Sequence, residues 1–203
     1  MAYIRKPNFE KDNEFGKIGE NLVRRILSES DKTLALYDVS DDYRFRLLDI
    51  DFVQIVKTRE DGGEYTVDDV FDNIMGKDSD RSFFNLYEVK TDSRSLESRN
   101  VVYEIISHDG PGCAALTRAN YFFYIFVDGN KDVREGWFID VKKWRKFIRE
   151  SCDNVVGMKD TKNGGIALNN YNRWGDRVMN ILTNIDFLKK EKIASKINVE
   201  KYA

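Results

Sequence analysis

The sequence predicts an α/β fold in which a mixed β-sheet is flanked by helices. Near the N-terminus, Phe15, Ile18 and Leu22 recur at the spacing of an amphipathic helix. The run YFFYIFV, residues 121–127, is apolar at nearly every position, which is typical of a strand covered on both faces. Short apolar and aromatic segments separated by polar turns fill much of the remaining chain. This alternation indicates helices packed on a sheet.

The N-terminal helix, expected over residues 14–28, precedes two expected strands. Residues 34–39 and 43–56 are rich in apolar and aromatic side chains, and we expect them to pair as a hairpin. Residues 57–82 are polar, rich in Asp and Gly, and lack a sustained apolar period, which indicates an insertion. A short helix is expected within that insertion, over residues 67–75.

The segments after the insertion complete the expected sheet. Residues 82–90 and 101–106 are expected strands separated by a polar loop, and a short helix is expected over residues 114–120. The buried strand 121–127 is expected to pair with residues 136–141 across a DGNKD turn.

The C-terminal part of the chain is expected to extend this core. Residues 141–150 form an expected helix with a basic outer face, residues 164–170 an expected strand, and residues 176–197 an expected helical tail. We therefore predict a core domain over residues 1–150 and a mainly helical extension, packed on the core, over residues 151–203.

The composition is typical of a globular protein of a reducing compartment. Cys113 and Cys152 lie far apart and near no second His or Cys, so the sequence contains neither a disulfide framework nor a zinc motif. No apolar run approaches the roughly 20 residues of a membrane-spanning helix, and the first residues lack the apolar region of a signal peptide. We expect a cytoplasmic protein with no membrane contact. The formal net charge of −2 argues only mildly against an enzyme that acts on DNA.

Two carboxylates and one lysine occupy the positions from which chemistry is expected. Asp51 lies in the second expected strand, and Glu88 and Lys90 lie two apart near the end of the next, hence on one face. If these strands are neighbours, Asp51 and Glu88 converge and repel each other unless a cation lies between them. Carboxylate oxygens select Mg²⁺ or Mn²⁺. A lysine alongside can orient a water molecule and stabilise charge on a phosphate, so the set suits phosphodiester hydrolysis.

The motifs LDIDF (48–52) and YEVK (87–90) resemble the bipartite motif of the PD-(D/E)xK, or restriction-endonuclease-like, nuclease superfamily. The segment FGKIGENLV (15–23) resembles its first-helix motif, in which a Gly-Glu pair supplies a further acid. The likeness extends over about residues 14 to 140. Within this superfamily, the chain also resembles small phage and bacterial nucleases, including relatives of the Holliday-junction resolvases. The likeness implies a restriction-endonuclease-like core.

The resemblance also implies roles for individual residues. Asp51, Glu88 and the carbonyl group of Val89 would hold Mg²⁺ or Mn²⁺, Lys90 would be the catalytic lysine, and Glu20 would be an outer or second-metal ligand. The implied activity is that of a metal-dependent deoxyribonuclease, an endonuclease on double-stranded or branched DNA. Position in the sequence suggests further residues that contact the DNA backbone, namely Arg24, Arg25, Thr91, Arg94 and Arg99.

Several alternatives stay open from the sequence. Ile50 stands where the family often has proline. Asp49 competes with Asp51 as the first acid, supports Asp51 from behind, or lies in solvent. The long spacer between the motifs requires residues 57–82 to be an insertion in a hairpin. The basic face of the helix over residues 141–150 either solubilises the protein or binds phosphates. A homodimer is a further expectation. A catalytically inactive member of the fold that binds nucleic acid or protein is the alternative function.

Overall fold

The fold contains two β-sheets with helices packed on them. The computed structural model describes residues 9–76, 81–151, 158–173 and 175–202. The helices are α1 (Phe9–Ser28), α2 (Tyr43–Arg46), α3 (Val67–Met75), α4 (Ser95–Ser98), α5 (Cys113–Leu116), α6 (Val141–Glu150) and α7 (Ile185–Lys190), with 3₁₀ turns at Met158–Asn163 and Glu200–Tyr202. The strands are β1 (Ala35–Asp38), β2 (Phe52–Ile55), β3 (Phe84–Asp92), β4 (Asn100–Ser107), β5 (Gly110–Pro111), β6 (Tyr121–Val127), β7 (Val133–Asp140), β8 (Ala167–Arg173), β9 (Asp176–Asn184) and β10 (Ala194–Ile197).

The large sheet has six strands in the order β1-β2-β3-β6-β7-β10. Strands β3 and β6 are parallel, and every other neighbouring pair is antiparallel. The small sheet has the order β5-β4-β9-β8 and is antiparallel throughout. The prediction of an α/β protein with a mixed sheet flanked by helices is therefore confirmed.

Strand β6 lies at the centre of the core, because both of its faces are covered. On one face Phe123 and Ile125 pack against Leu22 and other apolar residues of α1. On the opposite face Phe122 contacts Trp144 of α6, with ring centroids 5.8 Å apart. This burial on both sides explains the uninterrupted apolar run, as expected from the sequence. No helix among the described residues is long and apolar enough to span a membrane.

The insertion between β2 and β3 is confirmed in its described part, since these two strands pair antiparallel across it. Helix α3 has the predicted bounds. Thr66 caps its N-terminus: the Thr66 hydroxyl accepts the Asp69 N–H, and the Asp69 carboxylate accepts the Thr66 N–H. Val70 and Ile74 are buried against the β1–β2 end of the large sheet. The insertion therefore leaves β2 and β3 as neighbours, and residues 77–80 lie outside the described range.

The second strand of the predicted hairpin is much shorter than expected. Helix α2 replaces its first half, because the Asp42 side chain accepts the Arg44 N–H and starts a helical turn. The chain then passes through Asp49, whose φ of 53° lies in the left-handed region, and enters β2 only at Phe52. Asp49 and Asp51 therefore do not share the face of one strand, contrary to the alternation assumed from the sequence.

The prediction of a mainly helical extension over residues 151–203 is wrong. Most of the expected tail consists of β9 and β10, with α7 between them. Val178, Leu182 and Ile185 do follow helical spacing. Strand β9, however, is buried on both faces. The sequence of such a strand lacks the polar–apolar alternation that would distinguish it from a helix. The extension packs on the core as expected, since β10 adds to the large sheet and β9 pairs with β4. Residues 152–157, 174 and 203 lie outside the described range.

Candidate active site

The pairing of β2 with β3 brings Asp51 to Glu88. Phe52 lies opposite Tyr87 in this antiparallel pair, so Asp51, the residue before β2, meets Glu88, the residue after Tyr87 in β3. The Asp51 N–H donates to the Tyr87 carbonyl group at 2.8 Å, and Asp51 Oδ2 accepts the Val89 N–H at 2.8 Å. These two bonds fix the backbone and the side chain of Asp51. Its carboxyl group lies close enough to that of Glu88 for each to affect the pKa of the other.

Glu88 and Lys90 share a face of β3, as the alternation predicts. Lys90 Nζ lies 2.5 Å from Glu88 Oε1 and 3.6 Å from Asp49 Oδ1. The Glu88 side chain is 6% exposed, whereas that of Lys90 is 33% exposed and reaches solvent. The ammonium group therefore lies between two carboxylates and faces a cleft at the same time.

Asp49 belongs to the same group of side chains, since its Oδ1 lies near Lys90 Nζ. It reaches this position from the turn before β2 and not by strand alternation. Thr117 Oγ1 donates to the Asp49 carbonyl group at 3.2 Å and holds this turn against the segment before β6. Asp49 Oδ2 is buried and has no hydrogen-bond partner among the described residues. A buried polar atom without a partner is costly, so this oxygen is suited to a ligand. We call Asp49, Asp51 and Glu88 the carboxylate cluster.

Burial and repulsion between neighbouring acids raise the pKa of Asp51 and of Glu88. Burial raises the pKa of Glu88 well above its usual value, Asp51 and Asp49 raise it further, and Lys90 opposes them. Burial likewise raises the pKa of Asp51, although the Val89 N–H favours the ionised form. Burial disfavours the charged form of Lys90, but Glu88 and Asp49 outweigh it and raise the pKa of the ammonium group. Lys90 is therefore protonated at neutral pH.

The donor set of the carboxylate cluster fits a hard divalent cation. Its oxygens are the ligands that Mg²⁺ and Mn²⁺ prefer. Ionised, the three carboxylates exceed the single ammonium group of Lys90 by about two negative charges, which one divalent cation would offset. No three Asp, Glu, His or Cys side chains of the described residues already surround one point as metal ligands. The Lys90 ammonium instead contacts Glu88 directly.

Glu20 approaches Asp51 from the α1 side. It lines a cleft of about 540 Å³ together with Asp51, Asp38 and Asp41. Burial and then these three acids raise the pKa of Glu20. The Glu20 side chain makes no hydrogen bond or ion pair within the part of the chain that the structure describes. The fourth acid predicted from the sequence therefore lies near Asp51 of the carboxylate cluster, and its carboxyl group is available to a ligand.

Gly19 allows α1 to approach β3 closely enough to bring Glu20 there. A Cβ atom on Gly19 would overlap the Thr91 side chain and stand 3.1 Å from Val89 Cγ1. A Cβ on Gly16, one helical turn earlier, would meet only Glu20 Oε1 at 3.8 Å. Close packing at the second glycine of the FGKIG segment is therefore a structural requirement.

We expect Gly19→Ala to lower the melting temperature and Gly16→Ala to raise it. Alanine favours a helix interior by up to about 1 kcal/mol over glycine, but overpacking costs about 1–3 kcal/mol. Only the change at Gly19 incurs the second effect. Each kcal/mol shifts the melting temperature of a chain of this size by about 2–4 °C. Thermal unfolding of both variants measures the difference, and an equal rise in both would contradict the packing argument.

Three of the predicted DNA-contacting residues lie beside the site. Thr91 and Arg94 line a second cleft, of about 510 Å³, that also contains Lys90. Arg24 lines the cleft that contains Glu20, where it pairs with Asp38.

The other two predicted DNA-contacting residues serve the fold. The Arg25 guanidinium donates to the Tyr202 carbonyl group at 2.7 Å. Arg99 pairs with Glu135 at 3.0 Å and Asp186 at 2.9 Å. The structure therefore does not bring Arg25 and Arg99 to the carboxylate cluster in a form free to bind phosphate.

The small sheet supplies residues that the sequence did not reveal. Asn169 and Asn180 lie opposite each other on β8 and β9 and line the cleft that contains Lys90. Asn180 Oδ1 is buried and unpartnered among the described residues. Because the sequence predicted β9 as a helix, no signal placed these amides near the site. Cys113 lines the same cleft, and burial raises the pKa of its thiol to about 11, so it is not a thiolate at neutral pH.

Comparisons with models of known protein families, with curated proteins and with solved structures yield no match to this chain. The resemblance to PD-(D/E)xK nucleases therefore depends on the residues of the motifs, and the restriction-endonuclease-like core stays a prediction.

Proposed function

We propose that this protein is a metal-dependent nuclease that hydrolyses phosphodiester bonds in DNA. The carboxylate cluster is the observation that carries the proposal. Three carboxyl groups gather at the junction of two paired strands beside a single ammonium group. This arrangement supports the binding of a divalent cation with a positive charge alongside, which is the chemistry that phosphodiester hydrolysis requires.

In this proposal Asp51 and Glu88 hold Mg²⁺ or Mn²⁺ together with the carbonyl group of Val89. When bound, the ion supplies charge neutralisation at the phosphate and a lower pKa for the attacking water. The Val89 N–H keeps the Asp51 carboxylate oriented. Lys90, held protonated by its neighbours, orients the water and stabilises charge developing on the phosphate. Glu20 assists from the other side of Asp51.

Double-stranded or branched DNA, cut internally, is the proposed substrate. This choice rests on the resemblance of the motifs alone. Asp51 lines the cleft that contains Glu20, and Lys90 lines the second cleft, so each cleft gives a bound strand access to one of these two residues. A homodimer is part of the proposal, because enzymes that cut both strands of a duplex often act as symmetric dimers.

A cleavage assay with supercoiled plasmid and a branched duplex tests the proposal. We expect cutting in Mg²⁺ or Mn²⁺ and none in EDTA, with activity restored when the metal is returned. Calorimetric titration with Mn²⁺, in the absence of DNA, is expected to show binding by the folded protein. Metal binding without cleavage would favour an inactive member of the fold, and absence of both would overturn the proposal.

A further inference from the structure

Five basic residues line a groove of about 420 Å³ near the start of α6. We call it the basic groove, and its basic residues are Arg81, Arg118, Lys142, Arg145 and Arg149. The formal net charge of the chain is −2, so this local excess of positive charge is offset by acidic residues elsewhere. A local positive surface of this kind attracts a polyanion.

Three of the basic residues of the groove have no acidic partner among the described residues. Arg118, Lys142 and Arg149 are exposed and form no ion pair with an acid among the described residues. Asp140 also lines the groove, but its carboxylate caps α6 by accepting the Lys143 N–H at 3.0 Å, and it lies 3.5 Å from the Lys143 ammonium. The one acid that lines the groove among the described residues is therefore already engaged.

Arg145 forms the inner wall of the basic groove. Its guanidinium donates to the Tyr103 hydroxyl at 2.7 Å and to the Thr117 carbonyl group at 2.9 Å. These bonds hold a positive charge at a fixed position, while Arg118, Lys142 and Arg149 are exposed to solvent. Several cations spread along a groove suit successive phosphates better than one small anion.

The basic groove is connected to the carboxylate cluster by a few hydrogen bonds. The Arg118 N–H donates to the Leu48 carbonyl group at 2.8 Å, and Thr117 Oγ1 donates to that of Asp49. Glu88 pairs with Phe122, whose side chain contacts α6, so the acids of β3 and the helix that carries the groove share one face of the large sheet. The basic groove therefore lies near the acids, on the same face of the large sheet.

We propose that the basic groove binds the phosphate backbone of DNA on one side of the bond to be cut. This inference rests on the proposed function for its substrate, but it concerns a separate set of residues and can be tested without cleavage. Arg118, Lys142 and Arg149 contact successive phosphates, and Arg145 supports them. The contacts carry no base specificity, because they are made to the backbone alone.

Fluorescence anisotropy with a labelled duplex of about 20 base pairs tests the groove, and the salt dependence of binding is its specific signature. The triple variant Arg118→Gln, Lys142→Gln, Arg149→Gln is compared with a control that removes three exposed basic residues lacking acidic partners among the described residues, Lys32→Gln, Arg177→Gln, Lys190→Gln. Both are measured in EDTA on an Asp51→Asn background, so that the probe stays intact.

We expect the triple variant to bind the duplex about 30-fold or more weakly at about 0.1 M salt, because each lost phosphate contact weakens binding several-fold there. The slope of log affinity against log salt should become less steep by about 2 to 3, since each contact contributes about 0.9. The control variant should stay within about twofold of its background, with an unchanged slope.

If the slope of log affinity against log salt were the same in the triple variant and the control, the proposal that the basic groove binds DNA would be overturned, whatever the cleavage assay shows. A loss of slope confined to the triple variant, in a protein that never cuts DNA, would support the groove and reject the nuclease. Absence of duplex binding by the unmodified protein, or groove-dependent binding of an acidic protein in place of DNA, would also overturn the inference.

Discussion

Lys90→Met is expected to lower the rate of DNA cleavage by about 10²- to 10³-fold, the usual effect of removing one group that stabilises transition-state charge. Methionine keeps the length of the lysine stem and removes the ammonium group. In the folded protein that group contacts Glu88 at 2.5 Å and lies 3.6 Å from Asp49, so it is positioned without substrate. Single-turnover cleavage at saturating Mn²⁺ measures the loss.

Asp51→Asn is expected to reduce the rate at least as much, but for a different reason, and metal binding distinguishes the two. Asparagine keeps an oxygen that can accept the Val89 N–H and loses the negative charge. Mn²⁺ affinity by calorimetry should therefore fall in Asp51→Asn. It should be unchanged or higher in Lys90→Met, which removes a competing cation from the carboxylate cluster.

The matched control for the lysine is Lys146→Met. Lys146 lies on the exposed side of α6 and pairs with Glu150 at 3.8 Å, far in sequence from β3 and outside the basic groove. Its loss should leave cleavage within about twofold. Cleavage by Lys90→Met at the unmodified rate, in a protein that still melts cooperatively, would reject the catalytic assignment of the lysine.

Elements with a clear helical period, or with an apolar run bounded by polar turns, were predictable from the sequence. Helix α6 has the predicted bounds because Trp144 and Ile148 face the core while its three lysines and Arg149 face solvent. Strand β6 has the predicted bounds because polar turns delimit its apolar run. The meeting of Asp51 with Glu88 followed from the hairpin once the segment between β2 and β3 was treated as an insertion.

The position of Asp49 was not predictable from periodicity. It depends on Asp42, which starts a helical turn, and on Thr117, which lies 68 residues further along the chain and holds the Asp49 carbonyl group. The alternation of apolar and acidic residues from Leu48 to Phe52 predicts a strand through these residues, whereas β2 begins only at Phe52. Non-local contacts of this kind leave no local pattern, and here they determine the third acid of the carboxylate cluster.

The amide-lined wall of the second cleft was missed for a related reason. Asn180 lies on β9, a strand buried on both faces whose apolar residues also satisfy helical spacing. Only its pairing with β4 and β8 establishes the strand. A residue whose environment comes from partners distant in the chain can be assigned to a site only once that pairing is known.

The second large effect expected is a gain in stability on neutralising Glu88. Glu88→Gln should raise the melting temperature of the metal-free protein at neutral pH by about 4 °C, corresponding to about 1–2 kcal/mol. Glutamine keeps the shape of the side chain and removes one of the negative charges that exceed the charge of Lys90. Glu150→Gln is the control, because its carboxylate is exposed and, among the described residues, pairs with Lys146 alone.

The sign of this effect follows from the raised pKa of Glu88, whose usual value is 4.5. A carboxyl group that holds its proton more tightly in the folded than in the unfolded protein stabilises the fold fully below pH 4.5, and this contribution declines as the pH rises towards the folded-state pKa. The advantage of glutamine should therefore be absent near pH 4 and develop as the pH rises above it. Mn²⁺ should reverse the order, because binding to the carboxylate stabilises only the unmodified protein. If Glu88→Gln melted below the unmodified protein at neutral pH without metal, the ion pair with Lys90 would outweigh the repulsion among the acids, and the excess negative charge on which the metal site depends would be refuted.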